Sequence, residues 1–318
     1  MSSYDDRIRE IEATLQRLPT NGDERISHQL RRAILQQLKL RYRQKPELRN
    51  RMAKFDIQLD RHEAKYLIPL SLVSKIREFI APFCERDPHG AGELPRYVVT
   101  TLQLDSPTLA LHRAKEDEAL ARFKLRVRTY GRPGDSAVYL EIKRKIRGTI
   151  VKSRASIPFH KWGEHVVRDV YTNLTFKSRA EETGFLDFVR LCREIDARPI
   201  LLVRYLRESY FGRLDPYARI TFDTRLEYQP TDSWTSWGEG GRWIPMDTSL
   251  AQDKLNPFSA VIMEVKTLSE APMWMMDMIM QFNLERVGNC KYSSAVWLEA
   301  VYRGWCDAPR YAAELLAV

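Results

Sequence analysis

Apolar and charged residues alternate along several stretches of the chain, and a period of two puts them on opposite faces of β-strands. Phe123, Leu125 and Val127 alternate with Lys124, Arg126 and Arg128. Leu140 and Ile142 alternate with Glu141, Lys143 and Lys145, and Lys152 and Arg154 follow a turn at Arg147-Gly148. Residues 123–130 and 137–146 predict a hairpin about Gly131-Arg132-Pro133-Gly134, with two cationic faces side by side. Residues 201–227 predict another, turning at Arg213-Leu214-Asp215-Pro216. There Tyr205 and Arg207 share one face, as do Arg219, Thr221, Asp223 and Arg225, while Ala218, Ile220, Phe222 and Leu226 point the other way. Glu63 with Lys65, and Glu264 with Lys266, repeat the spacing near the two ends.

Between these strands the period changes. Leu72, Val73, Ile76, Phe79 and Ile80 predict an amphipathic helix over 71–83, and further helices are expected between 161 and 192. The first strand is expected over 55–67, with others at 97–104 and around 109–111. Ala271-Pro272 opens a helix carrying Met273, Met275, Met276, Met278 and Met280, read as adaptable core filler. Trp234, Trp237 and Trp243 stand in a Gly/Ser-rich loop; they could stack on bases, but packing of the loop is the commoner use. Residues 1–54 form a helical segment of their own, with Ile8, Ile11, Leu15 and Leu18 before Pro19 and Ile26, Leu30, Ile34 and Leu38 after a break. A basic arm for a membrane, partner or nucleic acid is one reading, and a hairpin with solvated charges is the favoured one. Residues 55–318 make the second domain, including the C-terminal helices.

A single charged strand face is ordinarily a solvated one. Here, however, the polar faces choose Arg or Lys in pairs strand after strand. About half a dozen strands carry cations in this way, and the expected fold is α+β: if these strands close into a barrel with charged faces inward, the lumen is a wet tunnel and the apolar faces point outward under helices.

The chain has 318 residues and a formal net charge of +9, which points to an anionic partner: nucleic acid, a phosphorylated metabolite or a lipid surface. Cys84, Cys192, Cys290 and Cys306 form no CxxC pair, which suits a reducing compartment. No apolar run approaches about 18 residues, so a cytoplasmic protein without a transmembrane segment is expected. Paired guanidiniums match phosphate oxygens bidentately, and lysines add point charges between phosphates. Carboxylates among such cations either hold a divalent metal through oxygen ligands or serve as salt-bridge partners, and for Glu63, Glu141, Asp223 and Glu264 the two readings weigh about equally. Glu264 is the first choice of metal ligand, with Glu63 and Glu141 as further candidates. Lys291, after a helix and flanked by hydroxyls, is either a surface residue or one reaching a tunnel mouth.

The segments Glu63-Ala-Lys65-Tyr66, Lys124-Leu-Arg126-Val-Arg128-Thr-Tyr130, Glu141-Ile-Lys143-Arg-Lys145, Val151-Lys152-Ser-Arg154, Tyr205-Leu-Arg207, Arg219-Ile-Thr-Phe-Asp223, Glu264-Val-Lys266 and Cys290-Lys291-Tyr292-Ser293 resemble, in order, the VTC domain. That is the polyphosphate polymerase branch of the triphosphate tunnel metalloenzymes, and the resemblance implies an antiparallel closed β-barrel tunnel of about eight strands. The resemblance implies that Lys65, Arg126, Arg128, Lys143, Arg207 and Arg219 act on the reacting phosphates. It further implies that Lys152, Arg154, Tyr205, Lys291 and Ser293 bind substrate, and that Glu264 ligates Mn2+ or Mg2+. The implied reaction passes the terminal phosphoryl of ATP to a polyphosphate chain.

Two positions depart from the pattern. Arg61 stands where triphosphatase-type members carry a first glutamate, which favours polymerase. Gly288-Asn289-Cys290-Lys291 lacks one of two lysines that bracket a serine in polymerases. A non-catalytic sensor of polyphosphate or inositol polyphosphate, or a triphosphatase, are the alternatives. Specific nucleic-acid binding ranks last, since no recognition helix or RNP-like signature is present. A membrane partner is compatible with the resemblance.

Overall fold

The computed structural model describes residues 61–90, 93–147, 149–169, 174–215, 217–238, 241–246, 259–268 and 271–303. The helical segment expected over 1–54 lies outside them, as does Cys306. In chain order the elements are β1 (Arg61–Pro69), α1 (Leu70–Ile80), β2 (Cys84–Arg86), β3 (Arg96–Asp105), α2 (Ala110–Glu116), β4 (Ala121–Tyr130), β5 (Val138–Ile146), β6 (Thr149–Ile157), α3 (Glu164–Arg168), α4 (Arg179–Glu194), β7 (Arg198–Gly212), β8 (Arg219–Pro230), β9 (Ile244–Pro245), β10 (Ser259–Leu268), α5 (Met273–Gln281) and α6 (Lys291–Arg303).

The strands follow the order β1-β10-β8-β7-β3-β4-β5-β6, with β2 on β7 and β9 on β8. The fold is α+β with an antiparallel sheet, as expected, but the expected closure is corrected. Strands β1 and β6 end the order, and among the described residues no pairing joins them. The edge of β6 finds another partner for one of its donors: Ser156 N donates to the Glu181 carboxylate of α4 at 2.8 Å. A strand edge satisfied by a helix has less call for a neighbouring strand.

The chain divides into two compact units. One takes Met1–Pro95, Glu208–Phe222 and Val261–Val287, and the other Arg96–Arg207, Asp223–Ala260 and Gly288–Val318. In the first unit Val73, Ile76 and Ile80 of α1 pack with Ile220 and Phe222 of β8, Val261, Met263 and Val265 of β10, and Trp274, Met275 and Met278 of α5. The methionines are thus only partly core filler, because Met273, Met276 and Met280 are exposed.

In the second unit β4, β5 and β6 turn Leu125, Val127, Leu140, Ile142, Ala155 and Ile157 toward Val166 and Val167 of α3 and Phe185, Phe188 and Leu191 of α4. Helix α4 begins at a side-chain cap: Ser178 Oγ accepts from Glu181 N at 3.2 Å. The β4–β5 turn forms where expected; Gly131 and Gly134 have φ of +74° and +88°, a region that strains other residues. Trp234 and Trp243 pack against this core, so the tryptophan loop is folded down on the unit. One expectation fails: residues near 109–111 start a helix, not a strand. The buried Asp105 carboxylate accepts from the N–H groups of Ser106, Leu111 and His112 at 2.7, 2.8 and 2.9 Å, ending β3 and capping α2.

Candidate functional site

With the apolar side of β4, β5 and β6 against helices, the other side carries the cations in rows. Lys124 pairs across the strands with Lys143, and Lys143 with Lys152. Arg126 pairs with Glu141, and Glu141 with Arg154. Like charges directly opposite one another destabilise a sheet unless something anionic lies over them. The Glu141 carboxylate organises the middle row. Arg126 Nε donates to its Oε2 at 2.6 Å, Arg128 Nη1 lies 3.7 Å from Oε2, and Arg154 Nε lies 3.6 Å from Oε1. Burial alone would raise the Glu141 pKa; the guanidiniums of Arg128, Arg126 and Arg154 outweigh it and bring the group down to about 2.

Arg128 also donates from Nε to Thr101 Oγ1 at 3.2 Å. Burial opposes its charge, but Tyr205, Glu141 and Tyr130 hold its pKa above the ordinary value, with Arg207 acting against them. Arg128 therefore connects the Glu141 group to a second one. There Arg207 forks onto Asp223 at 2.7 and 2.8 Å, and Lys291 Nζ lies 2.7 Å from Asp223 Oδ2. Tyr205 is under both cations, with Arg207 Cζ 5.2 Å and Lys291 Nζ 4.8 Å from its ring centre.

Lys291 opens α6, whose start is anchored by the next residue: Tyr292 Oη donates to Asp105 Oδ2 at 2.8 Å. That anchor also places Cys290, whose Sγ accepts from Lys124 Nζ at 2.7 Å. Burial would push the Cys290 thiol up, yet Lys124 and hydrogen bonds from Ser293 bring it down to about 5, so the sulfur is a thiolate at neutral pH.

The first unit holds a different group. Lys65 Nζ of β1 stands 3.8 Å from Glu63 and 3.8 Å from Glu264 of β10, and Lys266 Nζ donates to Glu264 Oε2 at 2.9 Å. Glu264 is only 6% exposed. Arg219 of β8 lays its guanidinium over the Phe211 ring at 4.0 Å.

A family model described as the VTC domain matches residues 60–298. The chain belongs to the VTC domain family. No curated protein matches it by sequence. Among solved structures, the PH1819 protein from Pyrococcus horikoshii OT3 is 12% identical over 76% of this chain and 98% of its own, at a TM-score of 0.36. A candidate adenylate cyclase from Vibrio parahaemolyticus is 9% identical over 74% and 98%, at a TM-score of 0.38. Alignments of that quality support no inference about fold or activity.

The second unit of this VTC domain brings together Arg126, Arg128, Lys143, Lys152, Arg154, Tyr205, Arg207 and Lys291, with Ser293 beside Cys290. The first unit brings together Glu63, Lys65 and Glu264, and holds Arg219 on Phe211. Each of the four acids weighed as a salt-bridge partner does pair with a cation. What the sequence reading missed is the Lys124–Cys290 pair, whose members are 166 residues apart. Among the described residues no helix is long and apolar enough to cross a membrane.

Proposed function

We propose that this VTC domain is an ATP-dependent polyphosphate polymerase acting in the cytoplasm, with ATP and polyphosphate as its partners. The arrangement of Arg126, Arg128 and Arg154 about Glu141, beside the row Lys124, Lys143 and Lys152, carries the reading. A guanidinium offers about five N–H donors and a carboxylate about four acceptor sites, so three around one leave donors in surplus for phosphate oxygens. Glu141 then organises the guanidiniums and is not assigned to the metal.

Phosphoryl transfer asks mainly for in-line positioning and neutralisation of oxygen charge. The bond from the γ-phosphorus to the bridging oxygen breaks, ADP leaves with its electron pair, and an oxygen at the end of the chain forms the new P–O–P link. Arg126 and Lys143 would hold the transferring phosphoryl, while Arg128 and Arg207 would neutralise charge on the leaving oxygens. Lys152, Arg154, Tyr205, Lys291 and Ser293 would bind the remaining phosphates.

For Mn2+ or Mg2+, Glu264 and Glu63 fit as ligands: both are hard oxygen donors, and both approach the same Lys65 ammonium at 3.8 Å, marking a place where positive charge is already held. Among the described residues no group of three or more His, Cys, Asp and Glu could hold a metal, so an ion on Glu63 and Glu264 would need phosphate and water oxygens to fill its shell. A bound ion would polarise the phosphoryl oxygens.

A second reading is a non-catalytic sensor of polyphosphate or inositol polyphosphate. It is favoured by the segment Gly288-Asn289-Cys290-Lys291, which lacks one of the two lysines of the polymerase pattern and in which the Cys290 sulfur engages Lys124. Incubation with ATP and manganese separates the readings: ADP with a growing phosphate polymer marks the polymerase, orthophosphate without polymer a triphosphatase, and binding without turnover the sensor.

A further inference from the structure

The cationic side of the second unit is not uniform along the strands. After the row of lysines and the row of Arg126, Glu141 and Arg154, the next pair is Arg128 with Tyr139, and then Tyr130 ends β4. Each step is about 7 Å along the strand. Charge thus gives way to aromatic surface toward one end.

Three tyrosines meet there. Tyr130 and Tyr139 lie edge to face with centres 5.5 Å apart, and Tyr97 meets Tyr130 in the same way at 5.9 Å. All are half-buried, on the side of the strands away from the helices and their apolar core. Arg154 joins them to the phosphate-binding rows: its guanidinium covers the Tyr139 ring at 3.7 Å, and its Nη2 donates to Tyr130 Oη at 3.5 Å. The Arg154 side chain is 47% exposed, so a flat cation resting on a ring keeps open surface toward solvent. Planar guanidiniums and tyrosine faces are the surfaces on which nucleobases stack.

We propose that Tyr139 with Arg154 stacked upon it, flanked by Tyr130 and Tyr97, is the subsite for the base of a nucleoside triphosphate. This rests on the polymerase reading and orients its substrate: the base lies at the tyrosine end and the terminal phosphate points toward Lys124, Lys143 and Lys152. The step of about 7 Å between rows leaves room for a ribose between base and first phosphate. Recognition is by stacking, so the subsite accepts any of the four bases and holds purines more tightly than pyrimidines.

The test is calorimetric titration of the full chain with ATP and, separately, with inorganic tripolyphosphate, both with magnesium. Tyr139→Leu keeps apolar bulk and removes the ring; Arg154→Lys keeps the charge and removes the plane. Each is expected to weaken ATP by on the order of tenfold more than it weakens tripolyphosphate. Tyr139→Leu is expected to leave tripolyphosphate within about twofold, since it removes no charge. Equal losses for the two compounds, or none, overturn the subsite while tripolyphosphate binding by the wild type still supports the phosphate site. Binding of neither compound by the wild type overturns both.

Discussion

The two units hold their acids in different ways. In the second, Arg126 closes on Glu141 at 2.6 Å and Arg207 forks onto Asp223 at 2.7 and 2.8 Å. In the first the cations are ammoniums: Lys65 stands 3.8 Å from both Glu63 and Glu264, and Lys266 Nζ donates to Glu264 Oε2 at 2.9 Å. A guanidinium fork fixes direction as well as charge, whereas an ammonium acts as a compact point charge. Glu141 and Asp223 therefore orient guanidiniums, whereas Glu63 and Glu264 neutralise ammoniums. The number of carboxylates among the lysines and arginines tells little about a metal; the way each is gripped tells more.

That contrast breaks first at Glu264. Glu264→Gln is expected to lower metal-dependent turnover on the order of 1,000-fold, since polarising phosphoryl oxygens supplies several kcal/mol. Tripolyphosphate binding without metal should change by less than about twofold. Loss of metal-free binding to the same degree would assign Glu264 to the phosphate site instead.

Glu141→Gln should act on the fold. Removing one partner of a buried ion pair costs about 3 kcal/mol, here because three guanidiniums lose their common counter-charge. Urea unfolding measures this, and saturating tripolyphosphate should restore part of the loss. The pH dependence has a definite sign. The folded pKa of Glu141, about 2, lies below the ordinary glutamate value of about 4.3. Its stabilisation is thus complete above about 4.3 and is lost as pH falls from there toward 2. Unfolding midpoints of wild type and variant should converge across that window.

Arg126→Ala should weaken tripolyphosphate by about 30-fold, the worth of a charge-assisted hydrogen bond of about 2 kcal/mol. Salt should matter in the same measurement, the variant showing a shallower dependence on ionic strength. Unchanged affinity would return the cationic side of β4, β5 and β6 to the role of a solvated face.

Much of this was legible before the structure, for a physical reason. Leu125, Val127, Leu140 and Ile142 face a helical layer, and a strand with one buried side writes that side into its sequence at every second position. The turn at Gly131 to Gly134 was legible because positive φ leaves few residue choices. Closure of the sheet was not, since it depends on what meets an edge: Ser156 could have paired with a strand and instead meets Glu181. Residues near 109–111 were too short an apolar run to show a period, and the deciding group, Asp105, lies upstream. The cations were legible as a set, but their division between guanidiniums gathered on Glu141 and ammoniums gathered on Glu264 depends on contacts that spacing does not encode.

The Lys124–Cys290 pair sharpens the comparison by the smallest step. It belongs to the second unit, yet its anion is a thiolate that one proton removes. At neutral pH the sulfur holds Lys124 at 2.7 Å and withdraws part of that charge from the row with Lys143 and Lys152. Cys290→Ser substitutes a neutral hydroxyl, so tripolyphosphate should bind about twofold to fivefold more tightly, the scale of one partly screened charge. The folded pKa of Cys290 is about 5, so the wild-type sulfur loses its charge as pH falls through that value. Wild type and variant should then bind alike near pH 4 and diverge above pH 6, in titrations run at constant ionic strength. A difference of the same size at both ends would mean that the serine acts through packing around α6 and not through charge.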